Sequence, residues 1–421
     1  MQDNNFLKDV WELYGVSENP FSILPLLVVG GAIPLDSFVG RGEHIKRLSK
    51  IIGSKGGSRT FIYGDIGVGK TSFVNVIRSS AYENGFFTHF KEITTQDKWT
   101  SDEFILNTLS AIYSTLKLLK QKPVNDELYK KLGSLFEIGR TTISAGASVL
   151  GIGGTYGEDS KATERLTSFS LQDFFMEIVN EIMNKTKKEV IIHYNNLELI
   201  SERKTRHLFN TLRDFFQTKG VHFIFVGNLT SYQIIQSIPR FSSILTDTPF
   251  HTEILSYKEV KEIIKKRFDH LRISEKMNII CPYTEDCLQI IYKLMGGNIR
   301  DILNTLSTAV FYVTDESSIL LDRNKLAKIL NEILEKRYLN KLTPRARQVL
   351  NEIIKHEEVT NKALSDKLKI PRSNISSYVR DLENAGCVYL RRKNGKDKFW
   401  KADPKIKWSL LKENPQQALN V

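Results

Sequence analysis

The stretch Thr60–Ser79, TFIYGDIGVGKTSFVNVIRS, decides how the chain is read. An apolar strand pattern, TFIY, runs into Gly64, and after four intervening residues come Gly69, Lys70 and Thr71. Every fixed position of a phosphate-binding loop is met, between a strand and the start of a helix. Gly64, Gly67 and Gly69 let the backbone turn successive N–H groups toward phosphate oxygens. Asp65, Ile66, Val68 and Ser72 fill the rest of the cradle. Lys70 reaches the β- and γ-phosphates, and the Thr71 hydroxyl is a ligand for Mg²⁺. The helix that follows adds its dipole to the anion site.

With 421 residues the chain has room for two or three domains, each able to bury a core. The apolar run FSILPLLVVGGAI, Phe21 to Ile33, is too short for a bilayer and is broken by Pro25 and a glycine pair, so no membrane span or membrane partner is expected. The beginning, MQDNNFLKDVWELYG, lacks the basic and apolar regions of a signal peptide. Cys281, Cys287 and Cys387 match no zinc spacing and form no even disulfide framework, which suits a reducing, cytoplasmic setting. Between Lys341 and Lys412 there are 18 Lys/Arg against 8 Asp/Glu, so this segment holds 10 of the chain's +12 net charge. That bias favours a polyanionic partner; a solvated basic face is the alternative.

Other stretches fall in a telling order around the loop. SFVGRGEHIKRLSKII (Ser37 to Ile52) precedes it, with apolar residues at helical spacing from Ile45. EVIIHYNNLEL (Glu189 to Leu199) follows as an apolar strand ending in Asn195 and Asn196, and KGVHFIFVGN as a second one ending at Asn228. SIPRFSSILTDTPFH carries Arg240, and LMGGNIRDILNTLSTAV carries Gly297 and Arg300. Together these segments resemble AAA+ ATPases of the origin-recognition initiator type, and are also similar to signalling ATPases of the STAND type. The resemblance implies an α/β P-loop core with a parallel sheet, ATP and Mg²⁺ as cofactors, and a nucleotide at an interface between like subunits. It places Val39 and Gly40 beside the adenine, Asn228 as a polar sensor of the γ-phosphate, Arg240 as a finger into a neighbour's site, and Arg300 on the lid facing the phosphates. A surface or salt-bridged role stays open for Arg240, and a structural ion pair for Arg300.

In the same resemblance Asn195 stands where the strand-end Asp belongs, and Asn196 where the following Glu belongs. A carboxamide accepts a hydrogen bond from Thr71 or from Mg²⁺-bound water, but supplies no charge. Asn196 has no useful basicity for activating water. Losing one such interaction commonly costs ~10²–10³ in rate. Glu198, three residues on, is the acid that can compensate, or else a plain surface carboxylate. The expectation is a nucleotide-binding switch with weak intrinsic hydrolysis.

From Thr343 the pattern changes again. A first helix is followed by TNKALSDKLKI, a turn at Ile370–Pro371, and a helix through about Asn384 in which Ile375, Val379 and Leu382 keep one face apolar. CVYLRR and KFWKA then flank KNGKD, an Asn-Gly hairpin signal. This resembles a winged helix-turn-helix. The second helix of such a module offers Arg372, Ser373, Asn374, Ser376, Ser377, Tyr378 and Arg380 to a major groove, and the hairpin tip offers Lys393 and Lys396. Double-stranded DNA is the expected partner, with a protein partner as the alternative. The resulting plan is a leader over 1–36, a core over 37–255 interrupted by an insertion over about 99–170, a helical lid over 256–340, a winged helix over 341–412, and a tail over 413–421. The insertion is read as two helical patterns followed by a glycine-rich loop.

Overall fold

The computed structural model describes residues 9–143, 168–246, 248–313, 320–395 and 397–413. They form two compact units, one of residues 25–253 and one joining 9–24 to the residues from 254 onward.

The first unit is built on a parallel sheet. Among the described residues its strands are β1 (Ser58–Gly64), β2 (Phe87–Thr88), β3 (Ile93–Thr94), β4 (Val190–Asn195), β5 (Val221–Gly227) and β6 (Phe250–Thr252). Their order is β2–β4–β5–β1–β6, with β3 also against β4. Every residue of β4 and β5 is buried, as parallel strands covered on both faces require. The helices are α1 (Gly42–Gly53), α2 (Lys70–Glu83), α3 (Ser101–Leu118), α4 (Asp126–Ile143), α5 (Ser168–Thr186), α6 (Glu202–Thr211), α7 (Arg213–Phe216), α8 (Leu229–Gln236) and α9 (Pro239–Ser242).

One sheet face packs Ile62, Ile191 and Ile224 against Leu48, Ile52, Phe73 and Ile77 of α1 and α2. The other carries a large aromatic core. Phe216 is fully buried there, with ring contacts to Phe104, Tyr194, Phe209, Phe223 and Phe241. Helix α3 starts at a reciprocal cap between Thr100 and Glu103 and sends Phe104, Ile112 and Leu116 into this core; α4 adds Leu128 and Leu132. The stretch 99–136, expected as the front of an insertion, is therefore part of the main core. The glycine-rich remainder, from 144 to 167, lies outside the described residues.

A polar seam runs between α2 and β4. Arg78, fully buried on α2, donates from Nε to Thr88 Oγ1 (2.9 Å), from Nη1 to Asn75 Oδ1 (2.8 Å), and from Nη2 to the His89 carbonyl. Its Nη1 also lies 3.3 Å from His193 Nδ1 and 3.6 Å from Glu92 Oε1. Burial pushes the guanidinium pKa down to about 10, against which Glu92 acts, so it stays charged at neutral pH. His89 accepts the His193 backbone N–H at Nε2 (2.9 Å), which puts its own proton on Nδ1, facing the Lys91 carbonyl at 2.6 Å. Burial, and then the Arg78 charge, holds both imidazoles well below their ordinary pKa.

The second unit begins with a turn of 3-10 helix at Val10–Tyr14, whose Trp11 packs on Phe21 and Phe311. The Ser17 N–H bonds to the Leu271 carbonyl, and buried Arg267 donates to the carbonyls of Pro20 and Ser22. The leader expected over 1–36 is thus divided. Residues 9–24 pack with the helices that follow the core, whereas Leu26 is held on α2 by Ser72 and Asn75. Those later helices are α10 (Tyr257–His270), α11 (Glu285–Leu294), α12 (Ile299–Phe311) and α13 (Arg323–Arg337). The winged helix follows in the same unit: α14 (Pro344–Ile354), α15 (Asn361–Leu368) and α16 (Arg372–Asn384), with β7 (Val359–Thr360), β8 (Val388–Asn394) and β9 (Asp397–Ala402) in the antiparallel order β7–β9–β8. The chain then returns to α12, where buried Trp408 donates from Nε1 to Thr305 Oγ1 at 3.3 Å.

Two outcomes follow for stability. Phe216→Ala removes the hub of the aromatic core and is expected to cost about 3–5 kcal/mol, read as a lower urea midpoint. His89 and His193 have depressed folded pKa values, so the unfolded chain takes up protons first. Their contribution is complete above about pH 6.5 and is lost as pH falls below it, by up to about 1.4 kcal/mol per pH unit for each histidine. Urea midpoints at pH 7.5 and 5.5 measure this slope, and His193→Gln should make it shallower.

Candidate functional site

The phosphate loop sits at the carboxyl edge of β1, beside the ends of β4 and β5, where open parallel sheets hold ligands. Gly67 and Gly69 both take φ of 88°, a conformation that side chains resist. Gly64 is required for a different reason: a Cβ there would stand 2.4 Å from the Thr252 carbonyl on β6. Lys70 is buried, with Nζ donating to the carbonyls of Gly64 and Asp65 at 2.9 Å each. Ile66 is exposed at the loop tip, and Val68 is buried. Ser72 faces away from a cradle role, since its hydroxyl accepts the Leu26 N–H at 3.2 Å.

Val39 is buried and Gly40 has φ of 84° just before α1. Between them and the loop lies a clamp that the sequence reading missed. Arg41, itself left-handed at φ 58°, donates from Nη2 to the Val68 carbonyl (2.5 Å) and the Glu253 carbonyl (3.1 Å). Its only sequence signal was a basic residue at a helix start.

At the strand end, Thr71 Oγ1 donates to Asn195 Oδ1 at 3.2 Å, and the same oxygen accepts the Asn196 N–H at 3.1 Å. A hydroxyl and a carboxamide oxygen therefore converge where Mg²⁺ would sit. Both are hard oxygen donors of the kind that would suit the ion. No cluster of three or more His, Cys, Asp or Glu suited to a metal occurs among the described residues. Thr95, also missed, holds this strand end: its N–H bonds to the Asn195 carbonyl (3.0 Å) and its Oγ1 to the Asn196 carbonyl (2.9 Å). Asn196 has φ of 59°, a left-handed conformation that asparagine tolerates better than most residues.

Glu198 is half-buried, and its Oε2 is buried without a hydrogen-bond partner among the described residues. Asn228 follows β5 and uses its Oδ1 to cap α8, accepting from the Ser231 N–H (2.8 Å) and hydroxyl (2.9 Å), so any ligand contact falls to its Nδ2 group. Arg240 lies exposed on α9, where, among the described residues, its carbonyl accepts from Arg213 Nε at 2.9 Å and from the Ser243 hydroxyl at 3.2 Å. Arg300 belongs to the second unit, exposed in the first turn of α12 after the Asn298 cap. Beside it, burial and Asp403 raise the Asp301 pKa to about 6, against the charge of Arg300.

In the winged helix, Ile375, Val379 and Leu382 are buried while Arg372, Ser373, Asn374, Ser376 and Arg380 are exposed and Ser377 and Tyr378 are half-buried. Ser376 already donates to the Arg372 carbonyl and accepts from Asn361 Nδ2 (3.0 Å). Lys396 and the side chain of Lys393 lie outside what is described. On β8, Arg391 pairs with Glu357 at 2.8 Å, and Arg392 pairs with Glu358 while stacking 3.7 Å over Phe399. These acids partly neutralise a wing that the charge count alone makes strongly basic.

Residues 41–238 match the KAP family P-loop domain, and residues 342–389 match a winged helix-turn-helix described as DNA-binding. No curated protein matches the chain. Among solved structures, the ORC2 protein of Aeropyrum pernix, determined as ADPNP–ADP complexes, is 13% identical with a TM-score of 0.50, over 96% of this chain and 98% of its own. The ORC1 protein of the same organism, in complex with DNA, is 14% identical with a TM-score of 0.48, over 99% and 100%. Cdc6p from Pyrobaculum aerophilum is 12% identical with a TM-score of 0.45, over 96% and 98%. The glycine loop, the parallel strand order and the three helices with their hairpin thus give this chain a P-loop α/β fold like that of the ORC2 protein, ending in a winged helix-turn-helix.

Proposed function

We propose that the chain is a nucleotide-controlled DNA-binding switch whose hydrolysis of ATP is slow. The observation that carries this reading is the Thr71–Asn195 hydrogen bond, which puts a neutral carboxamide at the strand end beside the metal seat. ATP with Mg²⁺ would lie in residues 64–72, with Val39 and Gly40 toward the base. Bound Mg²⁺ would draw charge from the phosphates, while Thr71 and Asn195 hold its shell. Lys70 would exchange the Gly64 and Asp65 carbonyls for phosphate oxygens, its charge stabilising them. Glu198 is the nearest acid in sequence to the strand end, and its unpartnered oxygen supports a role in orienting water.

Duplex DNA would be read by the exposed face of α16, with Arg372, Asn374 and Arg380 toward base edges and Ser373, Ser376, Ser377 and Tyr378 toward the backbone. Lys393 and Lys396 would act from the wing. Arg240, exposed and outside any ion pair among the described residues, suits a finger into a like subunit, and Arg300 a sensor on the lid. The chain is expected to work in the cytoplasm; among the described residues no helix is long and apolar enough to cross a membrane.

A second reading, a STAND-like signalling ATPase whose winged helix docks a protein, draws support from the paired wing arginines. Salt separates the two, since phosphate contacts release counterions and protein docking does not.

Nucleotide affinity and turnover with and without duplex test the first half. Tight binding and slow turnover are expected for the parent, loss of binding for Lys70→Ala, and turnover at least ~10-fold faster for Asn195→Asp. Brisk parent turnover that collapses in Glu198→Gln would sink the switch reading. Fluorescence anisotropy tests the second half: Arg372→Gln and Arg380→Gln should each weaken duplex binding by ~10-fold or more. Nucleotide-dependent association in the ultracentrifuge should weaken in Arg240→Ala; association that ignores both nucleotide and this change removes the finger.

A further inference from the structure

The winged helix contains a cleft of about 480 Å³ between the start of α15, the outer face of α16 and strand β9. Lys362, Arg372, Arg380 and Lys398 line it, against only Glu383 and Asp397. Among the described residues none of these four cations stands within ion-pair distance of a carboxylate, although two carboxylates share the cleft. The contrast with β8 is direct, because Arg391 and Arg392 are both held by glutamates. Surplus charge on this face is therefore concentrated in the cleft.

Its floor is Trp400, only 4% exposed, whose indole Nε1–H has no acceptor among the described residues. A buried indole N–H ordinarily finds one, as that of Trp408 does with Thr305. Asn361, at the cleft edge, also has a buried Oδ1 without a donor while its Nδ2 bonds Ser376. Nδ2 must be the donor in that bond, because the one proton of the Ser376 hydroxyl already goes to the Arg372 carbonyl. A buried donor in the floor and cations around the rim describe a seat for an oxyanion. The Lys398 ammonium lies 5.7 Å from the centre of the Trp400 ring, over the indole that the anion must reach.

We propose that this cleft seats one phosphodiester of a DNA strand, with Trp400 Nε1–H as its fixed donor and Lys398 and Lys362 as its counter-charges. The assignment rests on the DNA-binding reading and adds residues to it that carry no base information. A phosphate held by a rigid indole sets how far α16 enters the groove and in which register. Charged donors and a fixed N–H converging on one phosphate give directional, charge-assisted bonds.

The test uses the full chain and fluorescence anisotropy with a short duplex over a range of salt. Trp400→Phe keeps an aromatic ring, gives up the pyrrole half of the indole and removes an N–H that has no partner among the described residues, so no described hydrogen bond is lost; circular dichroism and the urea midpoint check the fold. It should weaken the duplex by roughly 5- to 10-fold at fixed salt without changing base preference. Lys398→Gln should lower the slope of log K against log salt by about 1. Replacing the phosphodiesters one at a time by neutral methylphosphonates should reveal one linkage whose loss weakens the parent but not Trp400→Phe. A parent that binds duplex while both variants match it in affinity and slope, with no such linkage, overturns the seat and leaves the DNA reading standing. A parent that binds no duplex at any salt overturns both. Saturable quenching of Trp400 by inorganic phosphate, seen as the difference from Trp400→Phe and with duplex affinity indifferent, overturns the strand in favour of a free anion.

Discussion

A guanidinium without water sets the geometry of the first unit. Arg78 is fully buried and remains charged, so every direction it faces must supply an acceptor. Those acceptors come from α2 itself, from β2, from the His89 carbonyl after it and from Glu92, and they pin the phosphate-loop helix to the sheet. Asn75 and Thr71 stand one and two turns earlier on the same helical face, and Asn195 stands two residues beyond His193 on the same strand face. The Thr71–Asn195 contact thus inherits its register from a charge cluster that touches no ligand. Lysine could not take this place, because one ammonium cannot span acceptors on four segments.

Seen from that register, the two asparagines have different physical meanings. Asn196 occupies a left-handed backbone position, where asparagine is one of few comfortable side chains, so its identity has a conformational reason. Asn195 lies in regular strand and has no such reason; in the proposed function its amide stands where a charge would act on the metal. The second neutral position is a turn, and only the first is a chemical statement.

The local parts were legible because they are local. The glycine loop, the two strand ends, the apolar stripe of α16 and the hairpin each fit within twenty residues and obey one periodicity. What stayed hidden joins distant residues. Arg41 reaches Val68 and Glu253, Thr95 reaches Asn195, and the wing arginines reach Glu357 and Glu358. Periodicity showed that α3 and α4 are amphipathic but not what they cover, so a core layer read as an insertion. The leader failed likewise, since nothing in its composition says that Trp11 belongs on Phe311 and Leu26 on α2.

The return of the chain through Trp408 has a mechanical consequence. The winged helix is entered from α13, where Arg347 bonds the Leu339 carbonyl and lies 3.7 Å from Glu335, and it is left through the indole anchored on α12. A module on one flexible tether explores orientations freely and transmits no torque. One pinned at both ends has lost that freedom before any ligand arrives. It behaves as the head of a crank rather than a ball on a string, and a transplanted winged helix would keep this stiffness only if both anchors travelled with it.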